Sequence, residues 1–315
     1  MANDNKNNCI VLKVDNETRN KMLSFYKEYD RGKQIPYVTM QAVNEDVVIT
    51  IYDTNKKGEN KVMFQGTSAD VEASVWAMEE AAVETSKKEK EIDYSKYYYC
   101  SSIGSDEVGT GDYFGPIVVT SSYVNKEDIS FLEELGIRDS KKLDDDKILK
   151  IAPQLVKRIK YKSLILSNSE YNEKYGVGYN INELKAIMHN KVLWKMVHEE
   201  ELDYDYIVVD EFAREQRYYS YLNETPNIQR GITFMTKAED KNLAVACASV
   251  ISRYIFLKEF DKISDSLHIP LPKGAGPQVD KIGEEVVEKY GEDKLKEIAK
   301  LNFKNTERIL HTMIF

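Results

Sequence analysis

Four acidic positions stand out in this chain because of where they fall. Asp106 and Glu107 are adjacent and close an extended run, Tyr97 to Ser105, just before the turn-forming Gly109-Thr110-Gly111. Asp210 closes the β-branched run Tyr206-Ile207-Val208-Val209. Glu239, with Asp240 beside it, lies just past Ile232-Thr233-Phe234-Met235 and ahead of a helical stretch that begins near Lys241. In α/β sheets, strand ends gather at one edge, and sites form there. Clustered carboxylates repel one another unless cations neutralise them. Two Mg²⁺ or Mn²⁺ ions would do so, and would hold the attacking water and leaving oxygen of a phosphodiester in line. His189, His198, His268 and His311 make no ligand pair at a standard spacing, and Cys9, Cys100 and Cys247 are widely separated. Any metal is therefore expected to be hard and oxygen-bound, with no disulfide framework or zinc knuckle.

Each acid also has a plainer reading. Asp106-Glu107 before a glycine fits ordinary turn chemistry. Asp210 fits a strand exit, and Glu239-Asp240 fits a helix cap. Regular strand geometry also sends neighbouring side chains to opposite faces. Asp106 and Glu107 meet in one site only if the chain bends there, which Gly109 and Gly111 would allow. The acids alone point to a metal site and name no reaction.

The elements that would position these acids divide the chain in two. Residues 9–14 read as a strand and 16–28 as a helix. Strands are expected at 37–43, 46–53 and 61–66, followed by a helix from Ser68 to about Thr85. This β-α-β-β-β-α unit is assigned to residues 1–88. The charged stretch 89–96 serves as a linker, or as the polar end of the preceding helix. The second domain, 97–315, has strands at 97–106, 115–124, 164–167, 206–210 and 232–235. Its helices are expected at 126–135, 144–158, 181–201, 241–265 and 283–299. Early strands joined by turns, then strands alternating with helices, predict an α/β (α+β) mixed sheet flanked by helices.

The composition excludes some classes. With 315 residues, 42% hydrophobic and 31% charged, the chain has an ordinary globular balance. No apolar run approaches the roughly 18–20 residues of a membrane span. Met1-Ala2-Asn3-Asp4-Asn5-Lys6 carries no apolar signal core, so a cytoplasmic location is expected. A net charge of −9 argues against a simple nucleic-acid coat but not against a nuclease, because local patches matter more than the total.

Five ordered motifs carry a resemblance. The first is Ile103-Gly104-Ser105-Asp106-Glu107-Val108-Gly109-Thr110-Gly111-Asp112-Tyr113-Phe114-Gly115-Pro116. The others are Arg138-Asp139-Ser140-Lys141-Lys142-Leu143, Tyr171-Asn172-Glu173 with Asn180-Ile181-Asn182-Glu183-Leu184-Lys185, Thr236-Lys237-Ala238-Glu239 with Ala246-Cys247-Ala248-Ser249, and Leu271-Pro272-Lys273-Gly274-Ala275-Gly276. In this order they resemble the type 2 ribonucleases H. Thr110, where the HII enzymes carry arginine, is similar to the HIII branch.

The resemblance implies a ribonuclease H-like sheet and cleavage of the RNA strand of RNA/DNA hybrids, leaving 5′-phosphate and 3′-hydroxyl ends. It implies that Asp106, Glu107, Asp210 and Glu239 bind two Mg²⁺ or Mn²⁺ ions, with Glu239 preferred to Asp240. It likens the N-terminal unit to a TATA-box-binding-protein-like domain that grips the hybrid. Gly109, Thr110 and Gly111 are candidates for sensing the 2′-hydroxyl, because glycines permit close approach. Lys141 and Lys142 are candidate phosphate contacts. So are Asn182 and Lys185, at a helix start that favours phosphate. Ser249 is expected to pack first and touch substrate second, and His189 to be structural. No membrane or obligate protein partner is expected, and a monomer is. The chain departs from the family at Asn302, where histidine is expected.

Overall fold

The computed structural model describes residues 8–32, 35–44, 47–55, 58–66, 69, 72–74, 76, 94–137 and 143–312. The chain divides into two compact units, Met1–Ile92 and Asp93–Phe315.

In the first unit, β1 (Asn8–Val14), β2 (Val38–Asn44), β3 (Val47–Tyr52) and β4 (Asn60–Gly66) form an antiparallel sheet in the order β1-β4-β3-β2. Helix α1 (Asn16–Phe25) starts where Asp15 caps it, its carboxylate accepting from Thr18 N at 2.7 Å. The strands alternate. Val47, Ile49 and Ile51 of β3, with Val62 and Phe64 of β4, are buried against Met22 and Tyr26. Ala69, Ala73 and Trp76 join this core, and Trp76 Nε1 donates to Tyr26 Oη at 2.6 Å. Helix is described at Ala69, at 72–74 and at Trp76. The rest of the helix expected over 68–85, and most of the 89–96 linker, lie outside the described residues.

The second unit holds β5 (Ser102–Val108), β6 (Ile117–Val124), β7 (Lys160–Leu166), β8 (Tyr206–Asp210) and β9 (Ile232–Met235), in the order β7-β6-β5-β8-β9. Pairing is antiparallel for β5–β6 and β6–β7, and parallel for β5–β8 and β8–β9. This is the expected mixed sheet. The parallel pairs bring the ends of β5 and β8 to one edge.

The helices are α2 (Ser95–Tyr98), α3 (Ile129–Glu134), α4 (Asp145–Arg158), α5 (Asn168–Gly176), α6 (Ile181–Glu199), α7 (Glu215–Ser220), α8 (Leu243–Leu267), α9 (Pro277–Tyr290), α10 (Asp293–Ile298) and α11 (Lys304–Thr312). Helices α6 and α8 cover opposite faces. On β6, Ser121 Oγ donates to Val192 O of α6, and its neighbour Ser122 Oγ donates to Ala244 O of α8. Helix α8 lies very close to the sheet: a Cβ on Gly104 would stand 2.2 Å from Val245 N. That closeness explains the small residues Ala244, Ala246, Cys247 and Ala248 on a fully buried helix stretch.

Several elements differ from the sequence expectation. Residues 283–299 form two helices rather than one, interrupted at Gly291 (φ +84°). Tyr97 and Tyr98 belong to the short α2 rather than to an extended segment. The third strand begins at Lys160 rather than 164: Lys160 and Tyr161 are exposed on this edge strand, so the apolar signal starts only later. Helices α5, α7 and α11 were not expected. No described helix is long and apolar enough to cross a membrane.

Candidate active site

The site is built on β5, and strand alternation determines it. Ser105 and Glu107 face α6. Asp106 faces α8, as Gly104 does. Pairing with β6 stays regular through Val108, so the bend expected between the two acids is absent; they face apart, yet at the end of the strand they remain close enough for the Glu107 charge to raise the Asp106 pKa. The turn comes after them. Gly109 has φ +98°, and a Cβ there would meet Pro116 O at 2.2 Å. Gly109 is thus required by the backbone and its packing, whereas Gly111 stands in the open.

Glu107 is held firmly. Lys185 Nζ pairs with its Oε1, and His189 Nε2 lies 3.0 Å from its Oε2. The far side of the imidazole is fixed as well: Nδ1 sits 2.7 Å from Ser105 Oγ, which donates to Thr120 O at 2.9 Å. Phe212 stacks on His189 at 5.2 Å, and Lys185 lies over the same ring at 4.1 Å. Burial alone would raise the Glu107 pKa. The His189 hydrogen bond and the Lys185 charge outweigh it and hold the carboxyl below its ordinary value.

Asp106 has no such company. Its side chain accepts from Glu107 N at 2.8 Å and from Ser249, and Ser252 Oγ donates to its backbone carbonyl at 3.1 Å. Burial, reinforced by the negative charges of Glu107 and Asp210, pushes its pKa well above the carboxylate range. Asp210 closes β8, where its Oδ1 accepts from Ala238 N at 2.8 Å. That bond ties the strand end to the short 3₁₀ turn Ala238–Asp240, entered through Lys237 in the left-handed region (φ +53°). Glu239 on this turn is half-buried and Asp240 is exposed.

The strand ends therefore gather Asp106, Glu107 and Asp210 at one edge, with Glu239 on the turn anchored to Asp210. Among the described residues, no three acidic, histidine or cysteine side chains are grouped as a metal cage. The donor chemistry nevertheless suits a hard cation. Asp106 is a half-buried carboxylate short of positive charge, with the acids that raise its pKa beside it.

The other expected site residues fall as follows. Lys185 is committed to Glu107, and Asn182 is half-buried in the first turn of α6. Ser249 lies close enough to the Asp106 carboxyl to lower its pKa, so it does more than pack. Thr110 is half-buried on the turn. Lys141 and Lys142 lie outside the described residues. Gly274 N donates to Asp112 Oδ1, so that amide of the 271–276 loop serves the fold. Asn302 accepts from Tyr171 Oη at 3.0 Å. Sequence reasoning missed the partnership of His189 with Glu107, and Phe212 altogether. His189 sits at core spacing on α6, which disguises it.

The family model described as Ribonuclease HII matches residues 103–306. The chain belongs to the ribonuclease HIII family. Ribonuclease HIII of Bacillus cereus is 39% identical over 314 residues, covering 97% of this chain and 99% of its own. Ribonuclease HIII of Listeria monocytogenes is 38% identical over 307 residues, covering 96% and 98%. A crystal structure of Bst ribonuclease HIII in complex with Mn²⁺ matches with a TM-score of 0.69 at 34% identity, covering 97% and 99%. Residues 9–90 match a domain of unknown function. The fold is thus ribonuclease H-like, and the chain is an endoribonuclease of this metal-dependent family.

Proposed function

We propose that the protein hydrolyses the RNA strand of RNA/DNA hybrids, leaving 5′-phosphate and 3′-hydroxyl ends, with two Mg²⁺ or Mn²⁺ ions held by Asp106, Glu107, Asp210 and Glu239. The observation that carries this is the half-buried Asp106 carboxyl, short of positive charge and repelled by Glu107 and Asp210 at the shared edge of β5 and β8. When bound, such ions activate water and stabilise the leaving oxygen. The protein's own groups do the rest. Lys185 and His189 keep Glu107 ionised and oriented. Ala238 N orients Asp210. Ser249 holds Asp106. Choosing the RNA strand requires sensing its 2′-hydroxyl, a task assigned to Gly109, Thr110 and Gly111. Asp210→Asn tests the assignment: cleavage in Mg²⁺ or Mn²⁺ is lost while hybrid binding persists. Normal cleavage by that variant would show the metal set to be wrong.

Residues 1–88 are assigned to gripping the hybrid, as a TATA-box-binding-protein-like domain. The register of the sheet supports this. On the face opposite the core, Lys13 of β1 lies directly across from Lys61 of β4. Glu59 pairs with Lys13 at 3.4 Å and offsets part of this charge, and both lysines stay exposed and within reach of a phosphate backbone. Deleting 1–88 is expected to weaken hybrid binding by about tenfold or more at moderate salt, with the remainder still folded. Unchanged affinity would make the unit a scaffold.

A further inference from the structure

The turn after Glu107 runs from Gly109 to Pro116 and is held by segments far away in sequence. Tyr113 N donates to Gly274 O at 2.9 Å, and Gly115 N donates to Ile298 O at 3.0 Å. At its centre is Lys300, fully buried. Lys300 Nζ donates to Asp112 O at 2.7 Å and to Gly115 O at 2.6 Å, while its own backbone N donates to Tyr113 O at 2.9 Å. Asn168 Nδ2 gives Gly115 O a second donor at 2.9 Å.

Lysine is an expensive residue to bury, and fully buried lysines are rare unless paired. Packing alone would be served by an apolar chain of similar length. What an apolar chain cannot do is draw two backbone carbonyls, three residues apart, onto one nitrogen. Burial lowers the Lys300 pKa to about 7. A neutral amine still has two N–H bonds, one for each carbonyl, so the clamp survives loss of the proton. The clamped half of the turn is Asp112 to Gly115. The other half is Gly109 to Gly111, with Gly111 open to solvent, and it follows directly on the strand that bears Asp106 and Glu107.

We propose that Lys300 is a positioning residue for substrate selection: by clamping the carbonyls of Asp112 and Gly115 it sets where Gly109, Thr110 and Gly111 stand relative to the acidic edge, and so how strictly the 2′-hydroxyl is read. This rests on the assignment of those three residues as the 2′-hydroxyl sensor. It places a specificity determinant 188 residues along the chain from Asp112 in the turn it controls.

The test measures kcat and KM of the full-length protein on an RNA/DNA hybrid, and on hybrids whose RNA strand carries a single 2′-deoxynucleotide at successive positions beside the cleaved bond. Wild type is expected to lose rate where the deoxy position meets the sensor. In Lys300→Met, kcat on the all-RNA strand falls roughly 10- to 100-fold with KM little changed, as expected for a misplaced contact, and the deoxy penalty shrinks. Lys300→Gln, which keeps an N–H₂ donor, recovers part of both. If Lys300→Met fails to fold, Lys300→Gln decides, because its shorter chain cannot bring its donors to both carbonyls as closely as Lys300 does: a smaller penalty than in wild type supports the proposal. An unchanged penalty in whichever variant folds, with or without a general loss of rate, overturns it and leaves Lys300 as a packing residue. Absence of any penalty in wild type overturns the sensor assignment and the proposal with it. That failure shows in wild type alone, so the two are distinguishable.

Discussion

Asp106 and Glu107 are adjacent on one strand, yet they occupy opposite electrostatic worlds. Glu107 looks toward α6, where Lys185, His189 and Phe212 form a braced, charge-matched pocket. Asp106 looks toward α8, where its partners are a serine, an amide and two negative neighbours. Their pKa values are accordingly driven apart, one down and one up. The difference suggests a division of labour. One carboxylate is kept ionised and fixed by the protein itself, and the other awaits a positive charge from outside.

That contrast can be broken from either side. The largest effect is expected on the Asp106 side. Asp106→Asn should lower hybrid cleavage by about a thousandfold or more, since several kcal/mol of metal-supplied stabilisation depend on it. The same variant should melt higher than wild type in a chelator at pH 8, because it removes a charge repelled by Glu107 and Asp210. Equal activity, or a lower melting point, would deny Asp106 the role of the uncompensated acid.

On the Glu107 side the effect should be smaller. His189→Ala leaves the carboxylate in place but frees it to turn. A loss of roughly 10- to 100-fold in metal affinity or activity is expected, the usual consequence of removing a ligand's orienting partner. It is checked by titrating Mn²⁺ against cleavage rate. No change in either would return His189 to a purely structural role.

A third effect is measured in degrees. The raised pKa of Asp106 means that the folded, metal-free protein keeps a proton that the unfolded chain releases. The stability gained is fully present below the ordinary carboxylate range and is lost as pH rises through the raised value. A cation replaces that proton, so added Mg²⁺ should raise the melting temperature by a few degrees more at pH 8 than at pH 6. A shift of the same size at both pH values would show that Asp106 is already ionised without metal.

Much of this was legible in the sequence because it is local. The β-branched run ending in Asp210, the strand Val47–Tyr52, and the small residues of α8 each declare their element within a few positions. The break at Gly291 was not, since the apolar spacing continues across it into Leu295 and Ile298. The site was half legible. Strand ends located the acids, and alternation correctly warned that Asp106 and Glu107 face apart. What sequence could not supply were partners brought together by topology: Ser105 with His189, Glu107 with Lys185, and Asp112 with Lys300. Each pair joins segments many tens of residues apart: the core spacing of His189 favours a structural reading, the helix start of Lys185 points to phosphate rather than to Glu107, and nothing local marks Lys300.

The most direct measurement of the central claim is cleavage of an end-labelled RNA/DNA hybrid by the full-length protein, with Mg²⁺ or Mn²⁺ and with a chelator, beside RNA-only and DNA-only duplexes. The account predicts cuts in the RNA strand of the hybrid alone, only with metal, leaving 5′-phosphate and 3′-hydroxyl ends. Cutting that persists in the chelator, or equal cutting of the RNA-only duplex, would contradict it.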